Sequence, residues 1–158
     1  MKSLLLACVL AAPFSPALAK TLPTVAVFDF ALTNTSPAPS TPEELARLHR
    51  LDQQLKAGLS DHFQVVDVSP VRDRLSGVDS IRGCNGCEID LARQLGAQQV
   101  AYGWVQKVSN LILNINLVIE EVPSGKQIAG GSVDIRGNTD ESWDRGLKYM
   151  LEEHVFPQ

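Results

Sequence analysis

The stretch "LILNINLVIEEV", Leu111 to Val122, alternates with a period of two. Its odd positions, Leu111, Leu113, Ile115, Leu117 and Ile119, put an unbroken apolar row on one face of a strand, because successive side chains point to opposite sides of the pleat. Its even positions mix Ile112 and Val118 with Asn114, Asn116 and Glu120, so the second face is half polar. Such a strand is stable only inside a sheet whose apolar face is covered by a second layer. The flanking sequence supplies that sheet. Gln98 to Val108, "QQVAYGWVQKV", reads as the preceding strand. Pro123-Ser124-Gly125-Lys126 turns the chain, and Gln127 to Arg136 returns as the next strand, completing an antiparallel meander.

Upstream the pattern changes from hairpins to crossovers. "TVAVFDF", Thr24 to Phe30, is β-rich and largely apolar on both faces, which predicts an interior strand. The proline-dotted "ALTNTSPAPS" reads as a loop. Thr41-Pro42-Glu43-Glu44 then opens a helix with a hydroxyl cap, proline at the first position and acids in the first turn. Leu45, Leu48, Leu55 and Leu59 form its apolar stripe, and it ends near Ser60. "FQVVDV" is a second strand. Ser69-Pro70 starts a short helix running to Gly77, and Glu88 to Leu95 is a helix closed by Gly96. Asp140 is expected to cap a last helix to about His154, with Trp143, Leu147, Met150 and Leu151 inward. The order β-α-β-α-α-β-β-β-α predicts an α/β fold: a mixed five-stranded sheet with a carboxyl-terminal meander and packed helices. The first two strands should run parallel, because a crossover helix joins them.

The amino terminus indicates the compartment. Met1-Lys2-Ser3 precedes the apolar run Leu4 to Ala12, and Ala17-Leu18-Ala19 offers a signal-peptidase site before Lys20. Residues 1–19 therefore read as a cleaved signal peptide and residues 20–158 as one domain, exported to the periplasm. The run is too short to span a bilayer. Leu5-Leu6-Ala7-Cys8 offers lipoprotein processing at Cys8 as the minor alternative, although it leaves too short an apolar region before the cysteine. The chain carries 14 basic against 18 acidic residues, for a net charge of −4, and no basic block. That argues against nucleic acid or an anionic membrane as partner, since both require clustered Lys and Arg.

Cys84-Asn85-Gly86-Cys87 is the motif that most invites chemistry. Haem attachment is excluded because Glu88, not His, follows. A zinc ribbon needs a second cysteine pair or paired histidines, whereas His49, His62 and His154 are scattered, so no metal is expected. Thiol–disulfide exchange remains as an alternative, because a helix start lowers thiol pKa. Against it, Val68 ends the previous strand far upstream, the cis-proline that such folds set opposite the pair is not expected because no proline is read as preceding a strand after Cys87, and Asn85-Gly86 is a tight-turn spacer. In an oxidising compartment the simplest reading is a structural disulfide joining Cys84 and Cys87.

Other residues are weaker candidates. Asp29 falls near the carboxyl end of an interior strand, where α/β sheets place ligand sites; the competing reading is a carboxylate that caps a nearby loop. Asn110, Asn114 and Asn116 form a polar stripe for a ligand or partner, or simply a solvated face. Trp104 is an aromatic anchor for a partner, or packs under a helix. The acids Asp134, Asp140, Glu141 and Asp144 do not have calcium-loop spacing. No phosphate loop or Ser-His-Asp pattern is present, and "PSGK" sits in a hairpin. No cofactor is expected.

The segments "VAVFDF", "FQVVDV" and "GCEIDLARQLGAQQVAYGWVQKVSNLILNINLVIEEVPSGK" together resemble the periplasmic α/β domain shared by the amino-terminal part of TolB and the curli secretion protein CsgG. The chain departs from TolB in having no propeller, and from CsgG in having neither a convincing lipobox nor a membrane hairpin. "CNGCE", "GWVQKVSNLILNIN" and "GSVDIRGNTDESW" are similar to a family of exported proteobacterial proteins with a domain of unknown function. Some of those are associated with periplasmic alcohol oxidation by quinoproteins. That resemblance implies no established activity, and the chain as a whole reads as a non-enzymatic accessory protein with a protein partner in the periplasm. Two alternatives stand beside it: a helper of a quinoprotein system binding a small ligand or metal, and a thiol–disulfide redox protein using Cys84 and Cys87.

Overall fold

A computed structural model describes residues 21–76, 78 and 80–157. The leader and cleavage site expected at residues 1–19, and Cys8, lie outside the described residues. The strands are β1 (Thr24–Val27), β2 (Ala31–Asn34), β3 (Gln64–Val66), β4 (Gln99–Lys107), β5 (Ile112–Glu121) and β6 (Gln127–Arg136). The helices are α1 (Pro42–Ser60), α2 (Cys87–Gln94) and α3 (Asp140–Met150). The single short helix expected after β3 is replaced by two 3-10 turns, Ser69–Leu75 and Ile81–Cys84.

The sheet is mixed, as the α/β order predicts, but it has six strands rather than five. "TVAVFDF" is broken where the Asp52 carboxylate, on α1, accepts the Phe30 N–H at 2.6 Å. That bond takes the Phe30 amide out of the ladder, and the chain re-enters the sheet one step later as β2. "ALTN" is thus a strand and not part of the loop. The order is β3-β1-β4-β5-β6, with β2 beside the second half of β4. β1 runs parallel to β3 and β4, and β2 runs parallel to β4, while β4, β5 and β6 are antiparallel.

Each face of the sheet has its own core. On the first, Leu48, Leu51, Leu55 and Leu59 of α1 and Trp143, Leu147 and Met150 of α3 pack over Val25, Val27, Ala101, Val105 and the odd row Leu113 to Ile119. Burying each such side chain contributes roughly 1.5–3 kcal/mol. Two expectations need correction. Leu45 is off the buried stripe, which Leu51 completes instead, and Leu111 precedes β5 and is exposed. On the second face Val71, Ile81, Leu91 and Ala92 cover Ala26, Phe28, Val100 and Tyr102.

Helix ends follow their caps. Thr41 and Glu44 form a reciprocal capping box on α1. Thr139, not Asp140, caps α3, its hydroxyl accepting from the Ser142 N–H at 3.2 Å. A single π turn, Leu151–Val155, finishes the chain's last helical segment.

Candidate functional site

The cover on the second sheet face stops short. α2 and the 3-10 turns sit over Val100 and Tyr102, and the later half of β4 emerges beyond them. Register then lines up two rows of side chains on that open half. Thr33, Gln106, Asn114 and Asp134 form one, and Ala31, Trp104, Asn116 and Ser132 the other. Trp104, Gln106, Asn114 and Asn116 are half-buried, while Ser132 and Asp134 are exposed.

The rows are internally tied. The Asn116 Nδ2 donates to Asn114 Oδ1 at 2.6 Å and to the Trp104 carbonyl at 3.5 Å, which fixes the two amides relative to each other. The Arg82 guanidinium lies 4.3 Å from the centroid of the Trp104 ring. Val108, Leu111 and Ile112, all exposed, rim this surface at the β4–β5 turn. The result is a shelf four strands wide, polar in the middle and apolar at one end.

The structure brings Trp104, Asn114 and Asn116 together and separates Asn110 and Asp29 from them. Asn110 belongs to a network at the other side of the sheet, where its Oδ1 and its carbonyl accept from the side chain and backbone N–H of Asn138, at 3.2 and 2.9 Å. Asn138 in turn donates to Glu44 and accepts from Trp143 Nε1 at 3.0 Å. Asp29 is exposed and pairs with Lys56 at 3.2 Å. It borders a cavity of about 200 Å³ at the carboxyl ends of β1 and β3, lined also by Phe28, Val68, Arg72 and Ser80.

The sequence reading missed the buried ion pair of Lys107 and Glu44, joined at 2.6 Å. A signal was there: Ala101, Val105 and Lys107 share one phase of β4, so the lysine sits on the core row. The acids near α3 serve as ion-pair partners. Asp140 meets Arg47 at 2.7 Å and Arg50 at 2.9 Å, and Asp144 meets Arg50 at 2.8 Å. Hydrogen bonds from Arg50 and Arg47 hold the Asp140 carboxyl down at about 2.

Cys84 and Cys87 are joined by a disulfide with their Cα atoms 5.5 Å apart. Asn85 and Gly86 between them take left-handed φ values of 59° and 100°. Glu88 Oε2 lies 3.3 Å from Cys84 Sγ. β5 brings Glu120 to the same region, and burial together with the Glu88 charge raises its carboxyl above the usual range. Burial, then Glu120 and Glu88, push the Tyr102 hydroxyl up to about 12. The expectation that no proline precedes a strand after Cys87 is corrected by Pro123, which follows a cis peptide bond in the β5–β6 turn ahead of β6.

Among the described residues no helix is long and apolar enough to cross a membrane. No curated protein matches the sequence significantly. Solved structures show the same fold. The LpoB carboxyl-terminal domain from Salmonella enterica aligns at 17% identity and TM-score 0.54, over 75% of this chain and 86% of that one. Lipoprotein GNA1162 from Neisseria meningitidis aligns at 17% identity and TM-score 0.52, over 74% and 82%. E. coli LpoB, solved by NMR, aligns at 20% identity and TM-score 0.52, over 73% of this chain and 57% of that one. At these identities the likeness establishes fold alone. A family model described as a protein of unknown function (DUF2380) matches residues 23–155, and the chain belongs to that family, DUF3280.

Proposed function

We propose that the chain is a non-enzymatic accessory protein of the periplasm that binds a protein partner through the open half of its second sheet face. The observation that carries this is the shelf itself: amides locked side by side, a half-buried aromatic ring held under a guanidinium at the edge of the second core, and an exposed apolar rim, on the half of the face that no helix covers. Aromatic and arginine side chains in such settings anchor protein interfaces, and fixed amides give directional specificity without net charge. The leader at residues 1–19 supplies the periplasmic address. The shared fold with a protein called a lipoprotein agrees with a cell-envelope setting, with Cys8 as the acylation alternative. The likeness to the TolB amino-terminal domain and CsgG belongs to the same reading. A thiol–disulfide enzyme is disfavoured because Glu88 stands against Cys84 Sγ, where it opposes the metal-free thiolate that attack on a disulfide substrate needs.

The test is site-specific photo-crosslinking in cells that make the protein. A crosslinker at Gln106 or Asn114 should capture one and the same partner, and one at Lys148, on the opposite side, should not. Replacing both Asn114 and Asn116 by Lys should abolish that capture while the thermal midpoint stays put. Equal capture from Lys148, or capture indifferent to the double substitution, rejects the shelf as the docking surface.

A further inference from the structure

The covered half of the same face holds a different cluster. Cys84 closes a 3-10 turn, Cys87 opens α2, and Glu88 follows it in the first turn. The two sulfur atoms and a Glu88 carboxylate oxygen lie within 4.8 Å of one another. In the disulfide neither sulfur bears a proton, so the carboxylate faces sulfur with no donor between them. Glu120 adds a second carboxylate whose Oε2 is buried without a hydrogen-bond partner. The nearby cation, Arg82, is stacked on Trp104.

Two cysteine sulfurs and a carboxylate are a donor set for a borderline-soft divalent cation. Zinc takes thiolates at about 2.3 Å and carboxylate oxygen at about 2.0–2.2 Å in a tetrahedron, which sets its sulfurs about 3.8 Å apart. With the Cα atoms 5.5 Å apart, side-chain rotation alone opens the sulfurs to that spacing once the S–S bond is gone. The left-handed Asn85 and Gly86 keep the two cysteines facing each other meanwhile.

We infer that Cys84, Cys87 and Glu88 form a redox-gated site for a divalent cation of the zinc class, closed as the disulfide and opened by reduction. A dithiol reductant gives two electrons and two protons to the S–S bond and leaves as its own disulfide. The cation then displaces both thiol protons to solvent and binds two thiolates and the Glu88 carboxylate, with water in the fourth position. The cation also offsets the negative charge that Glu88 brings against the two sulfurs. Spacing rules for zinc overlooked this set because its third ligand is neither cysteine nor histidine.

The experiment uses the whole mature chain, reduced anaerobically with a phosphine, freed of reductant and titrated with Co²⁺, then Zn²⁺. One Co²⁺ per chain should bind with a sulfur-to-cobalt charge-transfer band and the intense visible bands of tetrahedral cobalt, and Zn²⁺ should erase both. The oxidised protein should show neither. Cys84→Ser should remove the charge-transfer band, and Glu88→Gln should weaken binding at least about tenfold, the loss of one charged ligand. Absence of the band in reduced, folded protein overturns the inference, as does unchanged affinity in Glu88→Gln or equal binding by the disulfide form. Should reduction unfold the chain, Zn²⁺ has to restore the folded circular-dichroism spectrum; failure to do so overturns it equally.

Discussion

Lys107 Nζ lies 2.6 Å from Glu44 Oε1, and both side chains are removed from solvent. The core row of β4 ends under the first turn of α1, where Glu44 also completes the capping box and accepts from Asn138. Burial pushes the Glu44 carboxyl up, but Lys107, the Thr41 N–H and Asn138 outweigh it and hold the carboxyl below its ordinary value. Neither charge is stable there alone. Lys107→Met should therefore cost about 3–5 kcal/mol in denaturant unfolding, because it strands a buried carboxylate. Adding Glu44→Gln should recover much of that loss. Losses that simply add would show that the pair is uncoupled.

Asp52 produces a pH dependence of the opposite kind. Burial first, and the Asp29 charge with it, raise its carboxyl from 3.8 to about 6 against the pull of the Phe30 N–H. Between those values the folded chain holds a proton that the unfolded chain has released. Stability from this group is full below about pH 4 and falls as pH rises through about 6, by at most about 3 kcal/mol. Asp52→Asn keeps an acceptor for Phe30 but does not titrate. Its stability relative to the parent should rise steadily from pH 4 to pH 7 in urea unfolding; parallel profiles would refute the assignment.

What the sequence revealed about this fold is what local periodicity and caps encode. The row from Leu113 to Ile119 and the Thr41 cap depend on neighbours a few residues away, and both are where their patterns put them. The break between β1 and β2 depends on Asp52 reaching Phe30 across the crossover, which no local window contains. The same holds for Asp140 and Asp144, whose partners Arg47 and Arg50 come from a helix at the other end of the chain. At the candidate site, alternation was enough to pair Asn114 with Asn116. It could not tell that Asn110, just before the strand, turns to the other side to meet Asn138.

Gly103 is where β4 and the β1–β2 break meet. A Cβ there would fall on the ring of Phe30 and 2.7 Å from the carbonyl of Asn116. Backbone cannot retreat from that contact as a flexible side chain would. Gly103→Ala should destabilise by about 1–3 kcal/mol. Gly83→Ala, with nothing within 4 Å of its added carbon, serves as the control and should leave the midpoint nearly unmoved. Similar midpoints for both variants would mean that Phe30 does not pack on β4 as described.

Trp104 separates the shelf from its covered neighbour, and Arg82 stacks on it from the covered side. Partly exposed cation–π contacts of this kind contribute about 0.5–1 kcal/mol, so Arg82→Ala should lower stability only slightly. Its effect on partner binding should be larger, because it frees the ring to leave the surface it presents. Trp104→Ala should weaken the crosslinked partner by at least about tenfold in calorimetric titration, the size of one anchoring aromatic. Leu45→Ala removes an exposed apolar side chain on α1 and should leave that affinity unchanged. A partner that tolerates Trp104→Ala and rejects Leu45→Ala would place its docking surface on the helical side.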